Sequence, residues 1–294
     1  LATKVDQNTK DIAALSNPSL LINGDFQVWQ RGTEFSNPRG YTADRWFLDG
    51  DTSPTAKKTE SGATISTGVA GTWTNFSYTF EDDYFDKLVG KKLTLTFKAS
   101  KQTNDVALVW CNGINSESTE VYHVREQGFA SRTQDTFTVT FEVKQKTTRS
   151  QIGMQLKSDK AGRTIELMWV KLELGEKATP LTPRPYGEEL ELCQRYYETS
   201  LPFGEHNDGT VLYRYRNNAS AEVSPIEVGC TFSFKTQKRV VPSVKFRYDF
   251  DDTETKESTN AGITTKNFFS INTIMIPTGK ALDISSWDAD AEIY

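Results

Sequence analysis

The chain has 294 residues and a formal net charge of −5, with 36% hydrophobic and 12% aromatic residues. Its length fits about two domains of roughly 100–200 residues each. The negative balance and the scattered basic residues argue against a nucleic-acid partner, and no segment approaches the ~20 apolar residues that insert across a membrane. The many threonines, serines and aromatic residues, with little helical periodicity, predict a mainly β protein.

Residues 1–17 differ in pattern from the rest of the chain. Apolar residues and one asparagine recur at alternating spacings of four and three, at Leu1, Val5, Asn8, Ile12 and Leu15. This is the seam of a coiled coil that contains one polar position. Because two heptads alone form a marginal helix in water, the segment is either a frayed helix on its own domain or the end of a coiled-coil shaft. A shaft requires other copies of the chain.

Residues 18–178 are predicted to form a series of short β-strands separated by turn-prone segments. In "KLTLTFKAS" and "TFTVTFEV" apolar and polar residues alternate, which is typical of strands with one buried face. The stretch "LLINGDFQVWQRG", residues 20–32, is predicted to be a packed first strand that serves mainly as scaffold. Many short strands with regular turns predict a β-sandwich or a barrel.

A proline-rich segment, residues 179–187, marks the predicted domain boundary. Three prolines within six residues stiffen it into an extended linker. Residues 188–294 are then predicted to form a second β-rich domain. Its first segment, "EELELCQRYYETS", has apolar residues at helical spacing and predicts one short helix.

The three cysteines, Cys111, Cys193 and Cys230, are odd in number and far apart. This spacing is neither a disulfide framework nor a metal-binding motif, so they are predicted to be buried free thiols. Free thiols are consistent with assembly in a reducing compartment.

Four stretches stand out by their order along the chain: "NPSLLINGDFQVWQRG", "GYTADRWFLD", "VKLELGEKATPLTPRPYGEELELCQRYYE" and the terminal "DADAEIY". Together they resemble the C-terminal part of phage tail fibre or receptor-binding proteins. The resemblance implies a shaft, a jelly-roll similar to galactose-binding and carbohydrate-binding modules, and a β-rich tip domain. It also implies a homotrimer assembled in the host cytoplasm, which contacts host surface polysaccharide or lipopolysaccharide as part of the virion.

No pattern in the chain points to catalysis. Its two histidines, His123 and His206, lie beside no nucleophile signature, and serine-hydrolase, zinc-protease and phosphate-loop motifs are absent from the sequence. Glycan hydrolysis needs a pair of carboxylates, but the candidates lie in acidic clusters that are more simply solvated loops or helix N-terminal charge. These candidates are Asp82, Asp83, Glu188, Glu189, Asp249 and Asp251. We therefore expect that the protein is not an enzyme.

Aromatic and amide side chains are better candidates for binding, because sugars stack on aromatic rings and bond to the polar groups around them. "GTWTNFSYTF" alternates and places Trp73 and Asn75 on one face, although Trp73 could instead close the edge of the core. In "YRYR" tyrosines alternate with arginines, either as core tyrosines with solvated arginines or as a contact surface. The candidate ligand-binding residues are Trp73, Asn75, Tyr41, Trp110, Tyr213, Tyr215, Arg214, His206 and Asp208.

The loops "PFGEHND" and "DFDDTETKEST" of the second domain are the predicted sites of receptor contact, since exposed loops commonly carry recognition. The resemblance further implies a structural Ca²⁺ near the first and last strands of the jelly-roll, at Asp25 and Glu173. Hard cations prefer carboxylate and carbonyl oxygens, but the sequence contains no dedicated calcium-loop spacing. No other cofactor is expected.

Three functions remain open from the sequence. The first is a non-enzymatic tail-fibre protein that attaches the virion to the host by multivalent binding of surface glycan. The second is a polysaccharide-degrading tailspike or an accessory binding module of a glycoside hydrolase. The third is a purely structural fibre spacer without a ligand.

Overall fold

The computed structural model describes residue 4 and residues 16–102, 106–128, 135–201, 211–217, 226–250, 255–277 and 280–293. The predicted coiled-coil segment, 1–17, lies almost entirely outside the described residues, and it stays a prediction. Among the described residues, no helix has the length and apolar character needed to cross a bilayer.

The chain divides into two compact units. The first contains Thr33–Tyr186 and the segment that ends at Trp29, and the second contains Gln30–Gly32 and Gly187–Glu292. The three residues Gln30–Gly32 therefore belong to the second unit, although the chain on either side of them belongs to the first.

Two antiparallel sheets make up the first unit. Its strands are β1 (Glu34–Ser36), β2 (Gly40–Tyr41), β3 (Trp46–Gly50), β4 (Thr55–Lys58), β5 (Ala63–Ser66), β6 (Thr74–Thr79), β7 (Lys92–Gln102), β8 (Val106–Ile114), β9 (Glu120–Gln127), β10 (Thr136–Glu142), β11 (Arg149–Leu156) and β12 (Thr164–Leu174). The first sheet has the strand order β1-β4-β5-β12-β7-β10, and the second has the order β2-β3-β6-β11-β8-β9. A short 3₁₀ helix, Tyr84–Leu88, connects β6 to β7.

The strand order identifies this sandwich as a jelly-roll. If β5 to β12 are counted from one to eight, the first sheet reads 1-8-3-6 and the second reads 2-7-4-5. Successive strands alternate between the sheets, except for the fourth and fifth, which pair within the second sheet; this is the jelly-roll arrangement. The predicted β-sandwich is therefore confirmed, and its strand order is that of the jelly-roll that the resemblance implied.

Alternation along the strands creates the core between the sheets. In β7, Leu93, Leu95 and Phe97 are fully buried, and in β6 Phe76 and Tyr78 face the same core. Each such side chain contributes about 1.5–3 kcal/mol by leaving water. The alternation that predicted these strands is thus the pattern that closes the sandwich.

The segment "LLINGDFQVWQRG" is packed but is not a strand, and the prediction of a first strand here was wrong. Asn23 and Phe26 have positive φ angles of 55° and 57°, which are incompatible with an extended run. The Asn23 side chain holds the irregular turn: its Nδ2 donates to the carbonyls of Val28 (2.8 Å) and Asp44 (2.9 Å), and its Oδ1 accepts from the Val28 N–H (2.9 Å). Phe26, Val28 and Trp29 are buried, so the segment is scaffold, as expected.

The chain enters and leaves the first unit side by side. The Ser16 hydroxyl donates to the Pro180 carbonyl at 2.5 Å, and the Asn17 N–H donates to the Thr179 hydroxyl at 3.2 Å. Asn17 Nδ2 also donates to the Leu174 carbonyl at 3.0 Å. The start of the predicted proline-rich linker is thus bound to the residues that precede the sandwich.

A buried ion pair lies beneath this junction, on the outer face of the first sheet. Lys171 Nζ lies 3.2 Å from Glu173 Oε2, and both side chains are fully buried. The ammonium also donates to the Thr179 hydroxyl (2.6 Å) and to the Pro180 carbonyl (3.0 Å), while Thr179 donates to both oxygens of Glu173. Such a pair is stable because its remaining donors and acceptors are satisfied.

The second unit has one helix and two sheets. Its elements are α1 (Tyr186–Gln194), β13 (Tyr197–Thr199), β14 (Tyr213–Arg216), β15 (Ile226–Ser233), β16 (Ser243–Phe250), β17 (Lys256–Ser258), β18 (Ile263–Thr264), β19 (Phe268–Ile276) and β20 (Ala281–Asp290). In one sheet β20 pairs with β13, β14 and β16, and β17 follows β16; in the other sheet β19 lies between β15 and β18. Phe246, Phe269 and Trp287 are in its core. The predicted mainly β character is confirmed, and α1 is the one α-helix among the described residues from 16 onward.

Candidate functional site

The outer face of the second sheet carries aromatic and amide side chains in register. In β3, β6, β8 and β11 one set of alternate residues enters the core, and the other set forms this outer face. Four rows of residues cross the strands: Asp49–Asn75–Gln155, Tyr41–Phe47–Ser77–Gly153–Trp110–Arg125, Thr79–Gln151–Asn112–Tyr122 and Arg149–Ile114–Glu120. We call these four rows the aromatic–amide face.

The Trp110 indole lies over Gly153, where the neighbouring strand has no side chain. A Cβ atom placed on Gly153 would lie 2.5 Å from Trp110 Cζ2 and 2.9 Å from Cη2. The indole therefore reaches sideways from β8 and covers β11 at the position where a side chain is missing. The ring is half-buried, so part of it is accessible, and a sugar can stack on an accessible aromatic ring.

Amide side chains lie on both sides of the Trp110 row. Asn75 and Gln155 face each other across β6 and β11, and within the described part of the chain neither side chain has a hydrogen-bond partner. Gln151 Nε2 donates to the Thr79 hydroxyl at 2.9 Å. Asn112 Nδ2 donates to Glu120 Oε1 at 2.6 Å, but its buried Oδ1 has no partner among the described residues. Asn112 Oδ1 is a buried polar atom and its lack of a partner is costly, whereas the half-buried amides of Asn75 and Gln155 are suited to bond to a ligand's hydroxyls.

A bulge in β9 brings two further side chains onto the face. The register shifts between Cys111 and Asn112 of β8, so that both Tyr122 and Arg125 project outward. The Arg125 guanidinium lies 5.1 Å from the centre of the Tyr122 ring. Burial, and then the hydrogen bond and charge of Glu120, raise the pKa of the Tyr122 hydroxyl, which keeps it protonated as a donor.

The residue inside this bulge is His123, which turns into the core. Its ring stacks on Phe85 at 5.5 Å, and Nδ1 accepts the backbone N–H of Lys144 at 3.2 Å. Burial, helped by the charge of Lys144, lowers the pKa of His123 to about 4. A neutral imidazole therefore fixes the strand that carries Tyr122 and Arg125.

At the opposite end of the face lies a carboxyl group. Asp49 is half-buried beside Asn75, and burial raises its pKa while the charge of Arg39 lowers it in part. The face thus has a carboxyl group at β3 and arginines at β9 and β11.

Three of the predicted ligand residues come together here. Trp110 and Asn75 lie in adjacent rows, and Trp73 directly precedes β6, two residues from Asn75. Trp73 is half-buried, and its backbone N–H donates to Asp51 at 3.0 Å. Tyr41 lies at the edge of the face but is buried, and its hydroxyl donates to the Ile293 carbonyl at 2.5 Å. Tyr41 therefore supports the face rather than offering a free group.

The candidates of the second unit are not gathered into a comparable surface. Arg214 binds the buried carboxylate of Asp283 through two hydrogen bonds, with Nε to Oδ1 at 2.6 Å. Tyr213 packs against the core of the second unit, whereas Tyr215 is 37% exposed. His206 and Asp208, together with the loop "PFGEHND", lie outside the described residues, as do residues 251–254 of the second loop. Their role stays a prediction.

The predicted calcium positions have other partners. Glu173 is bound by Lys171 and Thr179, and Asp25 accepts a hydrogen bond from Gln27 at 3.1 Å. Among the described residues, no group of three or more His, Cys, Asp or Glu side chains could hold a metal ion. The three cysteines have no disulfide; Cys111 and Cys193 are buried, and Cys230 is half-buried.

Several members of the face were missed from the sequence. Phe47, Gln151, Gly153 and Arg149 were not identified as site residues, and the alternation in "RSQIGMQL" was the available signal. It places Arg149, Gln151, Gly153 and Gln155 on the side opposite to Ile152 and Met154. What the sequence alone lacks is the register that sets Gly153 beside Trp110.

Comparisons with known proteins found distant structural similarity. No family model and no curated protein matches the chain. Among solved structures, the one described as "CBM4 structure and function" is 20% identical, with a TM-score of 0.36, and the match covers 52% of this chain and 98% of that one. The CBM22-1 xylan-binding domain of Xyn10C from Paenibacillus barcinonensis is 11% identical, with a TM-score of 0.34, over 56% of this chain and 100% of the other. The enzymatically active domain of tailspike protein 4 from bacteriophage CBA120 is 19% identical, with a TM-score of 0.32, and the match covers 55% of this chain and 21% of the tailspike.

Proposed function

We propose that this protein binds a glycan on the aromatic–amide face of its first unit. The observation that carries the proposal is the position of Trp110 over Gly153, with amide side chains in the rows on either side. A pyranose ring has an apolar face that stacks on an indole and a rim of hydroxyls that bond to amides. The half-buried amides of Asn75 and Gln155, which have no hydrogen-bond partner among the described residues, can make such contacts.

The wider role that we propose is attachment of a phage virion to its host. The ordered motifs that resemble tail fibre proteins support this role, as does the coiled-coil pattern of residues 1–17. In this proposal the chain is a homotrimer assembled in the host cytoplasm and carried on the tail fibre, and it binds surface polysaccharide or lipopolysaccharide without cleaving it. Three weak sites on one particle bind together with much higher avidity than one.

A tryptophan pair provides a matched test of the binding face. Trp110→Ala is expected to weaken glycan binding by about 2 kcal/mol, roughly 30-fold, since aromatic anchors dominate such contacts. Trp169→Ala is the control, because Trp169 is also half-buried but pairs with Lys98 on the outer face of the first sheet. Binding is measured on a glycan array and then by calorimetry with the glycans that score. Equal effects of the two substitutions would reject this face as the site.

Host cells provide the test of the wider role. The protein is expected to bind cells that carry their surface polysaccharide and to lose binding on cells stripped of it. The polysaccharide recovered after long incubation should be of unchanged length, and shortened chains would instead support a depolymerase. The mass of the native particle checks the trimer.

A further inference from the structure

Two arginines on the aromatic–amide face have no acidic partner. Arg149 in β11 is half-buried, and its Nε is buried without a hydrogen bond. Arg125 in β9 is exposed and contacts the ring of Tyr122. Within the part of the chain that the structure describes, neither guanidinium forms an ion pair or a hydrogen bond. The carboxylate in the same corner, Glu120, bonds to Asn112 instead.

Several other arginines among the described residues of this acidic chain are paired. Arg163 binds Asp159 at 2.5 Å, Arg247 binds Glu257 at 3.1 Å, and Arg214 binds Asp283. Carboxylates outnumber Lys and Arg by 39 to 34, so acidic partners are not scarce. Arg149 and Arg125, which have no ion pair among the described residues, both lie on the face that carries Trp110.

Their positions follow from the sheet register. Arg125 is directly opposite Trp110 across the β8–β9 pair. Arg149 lies on β11 four residues before Gly153, with Gln151 between them on the same side. Alternate residues on one face of a strand are about 7 Å apart, so an arginine side chain at position 149 reaches the sugar next to one stacked on Trp110.

We propose that the glycan bound here is anionic, with carboxylate or phosphate groups on different sugars held by Arg149 and by Arg125. This inference rests on the proposed function of the face. A guanidinium offers several donors in a planar fork that matches the two oxygens of a carboxylate or phosphate. An anion also satisfies the buried Nε of Arg149, which a neutral hydroxyl satisfies less well because it forms no charge-assisted bond.

Chemical reduction of the ligand tests the charge directly. The probes are a uronic-acid polysaccharide that binds on the array, the same polysaccharide with its carboxyls reduced to hydroxymethyl groups, and phosphate-bearing polymers of the array. Reduction is expected to weaken binding roughly tenfold or more, since charge-assisted bonds are lost. Binding confined to phosphate polymers would support the same anion site with the other source of charge.

Variants assign the effect to the two arginines. Arg149→Gln and Arg125→Gln are each expected to weaken binding of the acidic glycan roughly tenfold, and to leave binding of its reduced form unchanged. Arg149→Lys should restore part of the affinity, which separates loss of charge from loss of fold. Lys177→Gln, which removes one exposed charge just before the linker, is the control and should have no effect.

The outcomes separate this inference from the proposed function. If the array shows neutral glycans bound in a Trp110-dependent manner and the arginine variants bind them normally, the face binds glycan but the anionic class is wrong. If no glycan binds at all, the proposed function fails and this inference fails with it.

Discussion

The two outer faces of the jelly-roll have similar strands but differ in how their polar groups are satisfied. On the first sheet, Lys98 pairs with Asp135 at 2.5 Å, and Lys171 is buried against Glu173 and Thr179. On the second sheet, the amide groups of Asn75 and Gln155 have no partner in the described chain. Both faces carry a half-buried tryptophan.

This difference indicates that an aromatic residue alone does not mark a binding surface. On the first face, Lys98, Lys171 and Glu173 already bond to other groups of the protein, including Thr179. A ligand would have to break these bonds in order to bind there. The second face keeps donors and acceptors that only a ligand or water can satisfy. Whether the polar side chains have partners within the protein therefore distinguishes a structural face from a candidate binding face.

The largest expected effect is on the first face. Lys171→Met leaves the Glu173 carboxylate buried without its cation, and should lower the free energy of unfolding by about 3–5 kcal/mol. Lys92→Met is the control, since Lys92 and Glu176 are more than half exposed and such pairs contribute about 0–1 kcal/mol. Urea denaturation measures both. The folded Lys171→Met protein should bind glycan with normal affinity. A loss of binding would contradict the interpretation that the first face has only a structural role.

The second expected effect concerns pH and the strand that bounds the second face. His123 has a pKa of about 4 in the folded chain and about 6.5 when unfolded, so the unfolded chain takes up the proton first. The free energy of unfolding of the first unit should fall by about 3 kcal/mol as pH decreases from 6.5 to 4. Above pH 6.5 the contribution of the neutral imidazole should be fully present. Thermal unfolding across pH measures this loss.

His123→Gln is the matched control for that experiment. Glutamine can still accept the Lys144 N–H through its side-chain oxygen but does not titrate, so the difference between the two pH profiles isolates the imidazole. Parallel profiles between pH 4 and 6.5 would show that other groups cause the acid sensitivity. Glycan binding should weaken over the same window because β9 carries Tyr122 and Arg125.

A smaller effect is expected from one methyl group on the second face. Gly153→Ala places a Cβ atom 2.5 Å from Trp110 Cζ2, so the indole must move away from residue 153. Glycan affinity should fall roughly tenfold, while the unfolding free energy changes by about 1–3 kcal/mol from overpacking. Gly187→Ala, at a position with open space, is the control. Unchanged affinity of the Gly153→Ala protein would mean that the Trp110 ring is not used.

The smallest effect is expected from metal removal. Because Glu173 already binds Lys171 and Thr179, EDTA should leave the Tm unchanged. A drop in Tm that Ca²⁺ reverses would instead support the calcium site implied by the resemblance. A bound metal ion would then be one of the groups that satisfy the carboxylates of the first face.

Local alternation made the strands and their faces predictable. "GTWTNFSYTF" placed Asn75 outside and Phe76 inside, as the structure has them. The rest of the site depended on contacts that local pattern does not contain. Trp110 was predicted to be a ligand-binding residue, but its position beside Gly153 follows from the strand pairing alone.

The first segment shows the converse. Residues 20–32 have the composition of a strand, but the side chain of Asn23 bonds to three backbone groups and imposes a turn. Asparagine tolerates the left-handed conformation found there, and this local competition is invisible to a period-two pattern. Burial was predictable from apolar content, whereas the backbone path was not.

The side-by-side junction of Ser16 and Asn17 with Thr179 and Pro180 has a mechanical consequence. A pull on the chain from these two points loads the hydrogen bonds between the two segments first, and the sandwich that lies between them in sequence carries no tension while those bonds hold. The force thus passes through the junction and not through the strands of the jelly-roll. The aromatic–amide face, which we propose binds glycan, can therefore keep its shape while the chain is under tension.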